Sequence, residues 1–378
     1  MASQISDLRV AIVYDKAVTW GGAEQVVLAL QELYPEAVLV TPVVDVNKAA
    51  WVNQFVEVQT SWMDRWPFKS RLLPFLTPWM PGVFKGFDLS EYDLIISVTS
   101  YDGKGVMTRA DQLHLSYILT PNRWCWIEPG RRYGGFGCLS GLAGWWQRLI
   151  APGYRQWDQL AATRPDAVAA ISELVQSRIA KYYDRASRVI YPTLQRTNVK
   201  VSGKKGNYML CVGRLVDYKR FDLVIEACRR LGMSLKIVGT GPLLERYQQM
   251  TKADGQIEVL GFVEAFELQK LMAEAQALVM PQVEDFGITA LESWAAGTPV
   301  LVHAESGVAE LMTEGKEGVL IREQSVAGVR EAISVFEHGE WQAEDCQKLA
   351  VGHSRAQFLC EFEAWVTEEW NKLVANQG

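Results

Sequence analysis

The sequence is poor in the clusters that bind metals or build disulfide frameworks. Its four histidines, at 114, 303, 338 and 353, form no ligand set. Six cysteines (Cys125, Cys138, Cys211, Cys228, Cys346 and Cys360) are scattered, with no C-x-x-C spacing. That distribution argues against a structural zinc and for reduced thiols in a cytoplasmic protein. No D-x-D carboxylate pair occurs in the 378 residues. No apolar run approaches the ~20 residues that span a bilayer. The N-terminal MASQISDLR lacks the apolar core of a secretion signal. Net charge is −6 with no basic tail, so nucleic acid is not an expected partner.

What is present is apolar material for two ordinary domains, at 49% of the chain. In the first half, RVAIVY (9–14) reads as a buried strand, followed by a loop holding Gly21 and Gly22. The helix that the loop opens places Ala23, Val26, Val27, Leu30 and Leu33 on one face. Strand, glycine loop and helix start together let backbone approach a ligand closely, although a lone Gly-Gly also makes a plain turn. Further strands are expected at AVLVTPVV (37–44), DLIISV (93–98), HLSYILTP (114–121), AVAAIS (167–172) and VIYP (189–192). Residues 193–207 are polar and glycine-containing and read as a linker. Beyond it, YMLCV (208–212), LKIV (235–238), IEVL (257–260), ALVM (277–280), PVLV (299–302) and GVLI (318–321) alternate with helical stretches. Continuous apolar strands alternating with helices imply a parallel sheet covered on both faces, with ligands beyond the strands' carboxyl ends.

Chemistry-bearing residues gather at those ends. GRLVDYKR follows the first strand of the second half and carries Arg214 and Lys219, a fork and a point charge suited to a diphosphate. Each cation alone is equally a solvated loop residue. PQVEDFGITALESWAAGTPV (281–300) carries Glu284 in a loop and Glu292 on a short helix expected at 289–296. The amides around Gly287, Ile288 and Thr289 are helix-start donors suited to an anion. From spacing alone two readings stand, because Thr289-x-x-Glu292 is also a capping box. VGTGPLLERY (238–247) hints at a dinucleotide turn but has Leu244 where the third glycine would be.

The stretch EDFGITALESWAAGTPV resembles, in order and spacing, the E-x7-E signature of retaining glycosyltransferases of the GT-B fold, family 4. The EDFGI wording resembles its mannosyltransferase-like group. The resemblance implies an α/β chain of two Rossmann-like domains with a cleft between them. Residues 1–192 would bind the acceptor and 208–355 the nucleotide sugar, with 193–207 as linker. A C-terminal helix, 356–378, would return toward the first domain, with Phe358, Phe362 and Trp365 in register.

By the same resemblance Glu284 contacts the donor sugar and Glu292 the ribose. Arg214 and Lys219, matching a "GR-x-(few)-K" pattern, offset charge on the leaving diphosphate. The segment 286–289 (Phe286, Gly287, Ile288, Thr289) meets the phosphates, Phe262 and Val263 the base, and Gly21 and Gly22 the donor phosphate. Phe262 and Val263 are otherwise core residues. The family's "HTP-x-R" element corresponds to Leu119-Thr120-Pro121-Asn122-Arg123. Leu119 replaces the histidine; Arg123 is an acceptor-side candidate or equally a surface salt-bridge residue, and His114 is a structural residue on the opposite strand face. No metal or cofactor is implied. The expected reaction moves a sugar, mannose from GDP-mannose in the first instance, to a hydroxyl of a glycan or lipid-linked acceptor. An epimerase of the same fold and a non-catalytic nucleotide-sugar binder are the alternatives, with an oxidoreductase more remote.

Nine of the fourteen tryptophans lie between 51 and 157. Lys and Arg outnumber Asp and Glu there by 11 to 7 over residues 61–157, against the balance of the whole chain. Two readings stand for this region. The tryptophans are core and loop anchors, or they meet an anionic membrane as a peripheral contact at the inner face of the cytoplasmic membrane.

Overall fold

The computed structural model describes residues 8–66, 69, 76–127, 140–194 and 204–377. The chain divides into two compact units, Met1–Thr193 with Ala356–Gly378, and Leu194–Arg355. The expected linker falls largely on residues 195–203, outside the described residues.

The first unit is built on seven parallel strands: β1 (Val10–Tyr14), β2 (Val38–Thr41), β3 (Val58–Thr60), β4 (Leu94–Thr99), β5 (Leu113–Ile118), β6 (Ala167–Ala170) and β7 (Arg188–Val189). Their order across the sheet is β3-β2-β1-β4-β5-β6-β7. β1, β4 and β5 are buried along their whole length, which is why they read as unbroken apolar runs. The helix Gly22–Leu33 buries Val26, Val27 and Leu30. β3 has only three residues, none of them buried, and carries too little pattern to be read from the sequence.

The C-terminal helix Arg355–Gln377 belongs to this unit and buries Phe358, Phe362 and Trp365. Tyr117 of β5 takes Phe358 and Phe362 edge-on, at centroid distances of 6.0 and 5.9 Å. His114 is fully buried, and its Nε2 meets Ser97 Oγ at 3.0 Å. Burial pushes its pKa down to about 3, so it is a neutral interior residue.

A buried polar system ties the loops of this unit together. The Asp15 carboxylate accepts from Thr99 Oγ1 and from the amides of Ser100, Tyr101, Asp102 and Gly103, at 2.6–3.0 Å. It thereby joins the loop after β1 to the loop after β4. Lys104 pairs with Asp158 at 2.6 Å, both almost fully buried, and Asp158 also accepts from Trp126 and Tyr183.

The second unit has six parallel strands: β8 (Met209–Val212), β9 (Leu235–Val238), β10 (Ile257–Gly261), β11 (Leu278–Met280), β12 (Val300–His303) and β13 (Gly318–Ile321). They run in the order β10-β9-β8-β11-β12-β13. One core gathers Cys211, Phe221, Val224, Ile237, Val279, Leu301 and Ile333 from the strands and their covering helices. The strand order reverses direction between β8 and β11, a topological switch point where the loops part and a ligand crevice opens.

Candidate active site

The residues that leave β8 and β11 meet at this switch point. Lys219, in the loop after β8, forms an ion pair with Glu284 Oε1, in the loop after β11. Both side chains are mostly buried. Burial pushes the Lys219 ammonium down, but the charge of Glu284, Tyr218 and the hydrogen bond to Glu284 outweigh it. Its pKa therefore stands above that of an ordinary lysine, and the residue is a fixed cation. Arg214 in the same loop is exposed, and near enough for its charge to oppose that of Lys219.

The loop bearing Glu284 is strapped down on both sides. Ser306 Oγ accepts from the Glu284 amide at 3.1 Å and donates to the Gln282 carbonyl at 3.0 Å. The Gly307 amide donates to the Glu284 carbonyl at 3.0 Å, and the Val308 amide to the Phe286 carbonyl at 3.0 Å. Gln282 is buried and donates through Nε2 to Glu284 Oε1 at 3.1 Å. Its own Oε1 is buried and has no hydrogen-bond partner among the described residues. Glu284 is thus gripped from one side by Lys219 and from the other by Gln282. Neither Gln282 nor Ser306 was singled out from the sequence. Gln282 lies two residues from Glu284, but nothing in the spacing says that its amide turns back onto the carboxylate.

The helix that follows spans Ile288–Ala295, one residue earlier than expected. Its N-cap is Gly287, at φ +115°, which has no side chain to offer the helix amides. A capping box would need Thr289 as the cap, so that reading of Thr289 and Glu292 does not hold. Gly287 is required twice over. Its φ is one that L residues rarely adopt, and a Cβ there would press on Met280 Cε at 3.1 Å and Val308 Cγ1 at 3.3 Å. Phe286 is buried, while Ile288, Thr289 and Glu292 are half-buried.

Gly239 and Gly241, the pair that hinted at a dinucleotide turn, have a definite task. They lie at φ +140° and +154° and let the loop after β9 rest directly on the backbone of Gly213 and Leu215. Leu215 donates to the Thr240 carbonyl at 2.8 Å, and Leu243 to the Leu215 carbonyl at 3.0 Å. Backbone against backbone fixes the loop that carries Arg214. Phe262, at the end of β10, is 70% exposed, which removes its reading as a core residue. Val263 is half-buried beside it.

Three expected site residues lie in the first unit. Gly21 is the extended N-cap of the helix that Gly22 begins. Arg123, half-buried, opens the short helix Arg123–Trp126.

Residues 195–351 match the family model of Glycosyl transferases group 1. An uncharacterised glycosyltransferase of Methanocaldococcus jannaschii is 25% identical over 182 residues, 47% of this chain and 52% of that protein. A GDP-mannose-dependent alpha-(1-6)-phosphatidylinositol monomannoside mannosyltransferase of Mycobacterium tuberculosis is 27% identical over 236 residues, 54% of this chain and 58% of that one. The matches to these relatives thus span little more than half of their length. Among solved structures, Anabaena HepE in complex with UDP superposes with a TM-score of 0.70 at 16% identity, covering 96% of this chain and all of that one. Sucrose-phosphate synthase from Thermosynechococcus elongatus gives 0.72 at 14%, again over 96% of this chain. The two parallel-sheet units are therefore those of the GT-B fold, and the second carries a Glycosyl transferases group 1 region.

Proposed function

We propose that this chain is a retaining, metal-independent glycosyltransferase that moves a sugar from a nucleoside diphosphate to a hydroxyl of a glycan or lipid-linked acceptor. The observation that carries the reading is the mostly buried Lys219–Glu284 pair at the β8/β11 switch point, beside a helix start whose N-cap is Gly287. Departure of a nucleoside diphosphate builds negative charge on the β-phosphate. Arg214, Lys219 and the amides at Gly287–Thr289 supply fixed positive potential for it without reorganisation. Glu284, held by Lys219 and Gln282, accepts hydrogen bonds from the sugar hydroxyls, and Glu292 those of the ribose. Phe262 and Val263 face the base, Gly21 and Gly22 the donor phosphate, and Arg123 the acceptor.

No carboxylate is assigned as nucleophile. In this reading the acceptor oxygen attacks on the face from which the diphosphate leaves, and a phosphate oxygen takes the acceptor's proton, which gives retention. The name of the Mycobacterium relative supports GDP-mannose as donor. The UDP complex of Anabaena HepE supports nucleoside-diphosphate binding by this architecture.

The test is release of nucleoside diphosphate from GDP-mannose and from UDP-sugars, with and without acceptor, by the wild type and by Glu284→Gln. The expected loss in kcat/KM is roughly 10²–10³-fold, the size found for one preorganised electrostatic group. Far-UV circular dichroism should stay unchanged. A Glu284→Gln enzyme with near-normal kcat/KM sinks the assignment.

A further inference from the structure

The carboxyl edge of the first unit's sheet carries exposed apolar side chains to which the proposed transfer assigns no role. Because every strand is parallel, the loops after β1, β2 and β3 leave from one edge, and β3-β2-β1 are neighbours spaced ~4.8 Å apart. Trp20 (49% exposed) follows β1, Val46 (63%) follows β2, and Trp62 (49%) and Trp66 (44%) follow β3. Single exposed apolar residues are ordinary, but several on adjoining loops make a patch.

These loops are fastened to one another. Ala17 and Asp45 exchange backbone bonds with the neighbouring loop (Ala17 amide to Val43 carbonyl, 2.9 Å; Asp45 amide to Ala17 carbonyl, 2.8 Å). Val44 donates to Asp64 Oδ1 at 2.7 Å, and Trp51 Nε1 to the Thr19 carbonyl at 3.0 Å. Ser61 caps the turn Trp62–Arg65, and Met63 is buried beneath it. Trp62 and Trp66 lie edge to face with centroids 5.4 Å apart. The indoles are therefore presented by a braced rim.

The carboxylates at this rim are each met by a cation or by backbone donors, and Arg65 stands exposed beside them. Lys48 is exposed as well. Glu57, also exposed, immediately precedes β3 and so lies toward the opposite edge of the sheet. Asp15 is buried among backbone donors, Asp64 is held by Lys69 at 2.6 Å, and Asp45 lies 3.6 Å from Lys48. On a chain of net charge −6, a rim of exposed indoles and cations suits the interface of an anionic bilayer, where indole rings sit at the headgroup level and cations meet lipid phosphate.

We infer that this rim docks the protein on an anionic phospholipid surface, with Trp62 and Trp66 as anchors and Arg65 as the headgroup contact. The inference does not depend on the transferase reading, so Glu284→Gln should bind vesicles as the wild type does. The experiment is co-sedimentation of the full chain with phosphatidylcholine vesicles, with and without phosphatidylglycerol.

The wild type should pellet with the anionic vesicles, and added salt should weaken this. The double variant Trp62→Ala/Trp66→Ala should partition about tenfold less with its thermal stability kept, since both indoles are exposed. Arg65→Gln should keep binding but lose most of the preference for phosphatidylglycerol. Phe266→Ala, which removes an 80% exposed ring of the second unit, should change nothing. Failure of the wild type to bind, or equal binding by the double variant, overturns the inference. So does light scattering that shows a lipid-free dimer which the double variant splits, since the rim would then meet a second copy of the chain.

Discussion

Gln282 shows what a single side chain adds to the site. Its Nε2 touches the Glu284 carboxylate while its Oε1 sits buried, unpartnered among the described residues. A polar group kept at such a cost calls for a reason beyond packing. If its task is to aim Glu284, Gln282→Leu should lower kcat roughly tenfold with KM little changed. Its folding stability should be equal or higher, because the orphaned oxygen goes with it. Steady-state kinetics and urea unfolding of the same preparation check this. A loss of stability in step with the loss of activity would make Gln282 a packing residue. The E-x7-E spacing was legible in the sequence because a loop glutamate and a helix glutamate keep a fixed separation along the chain. The Gln282–Glu284 and Lys219–Glu284 contacts were not, since spacing carries no information on where a side chain turns.

At the scale of elements, loops hold the site as much as strands do. The loop after β9 lies on the loop after β8 through glycines, and Gly239→Ala would force a Cβ into the Gly213 carbonyl at a φ that alanine resists. We expect at least about 2 kcal/mol of lost stability, together with weaker nucleotide binding through the displaced Arg214 loop. Chemical denaturation and a binding titration read the two effects. The strands of the second unit were legible because a parallel sheet covered on both faces leaves unbroken apolar runs. β3 was not, because its residues are half-buried or exposed and only three.

Nor could the sequence show that Lys104 pairs with Asp158, 54 positions further along the chain, or that Asp15 collects four amides from the loop after β4. Asp102, in that loop, accepts from the Tyr154 hydroxyl. Burial pushes its pKa up to about 8, with Asp15 and Asp158 adding and Tyr154 and Lys104 opposing. A carboxyl raised on folding holds its proton between the ordinary value of 3.8 and about 8. Its contribution to stability is full below the lower value and is lost as pH rises through the upper one. Wild-type stability should therefore fall between roughly pH 4 and pH 8, and Asp102→Asn, which cannot titrate, should show a shallower fall. Parallel pH profiles of denaturation midpoint would contradict this.

For the molecule as a whole, the proposed phosphate-binding set lies on the second unit and the proposed docking rim on the first. Among the described residues no helix is long and apolar enough to cross a membrane. The central claim is that the second unit's switch point holds a nucleoside diphosphate. The most direct measurement is a thermal-shift panel of GDP, UDP, ADP and NAD on the wild type and on Lys219→Met. A ligand bound only by the folded chain at 100 times its Kd adds about 2.7 kcal/mol of stability. The account predicts a selective shift with GDP or UDP, which names the donor base, and its loss in Lys219→Met. A shift with NAD alone, or a nucleotide shift that Lys219→Met leaves unchanged, would contradict it.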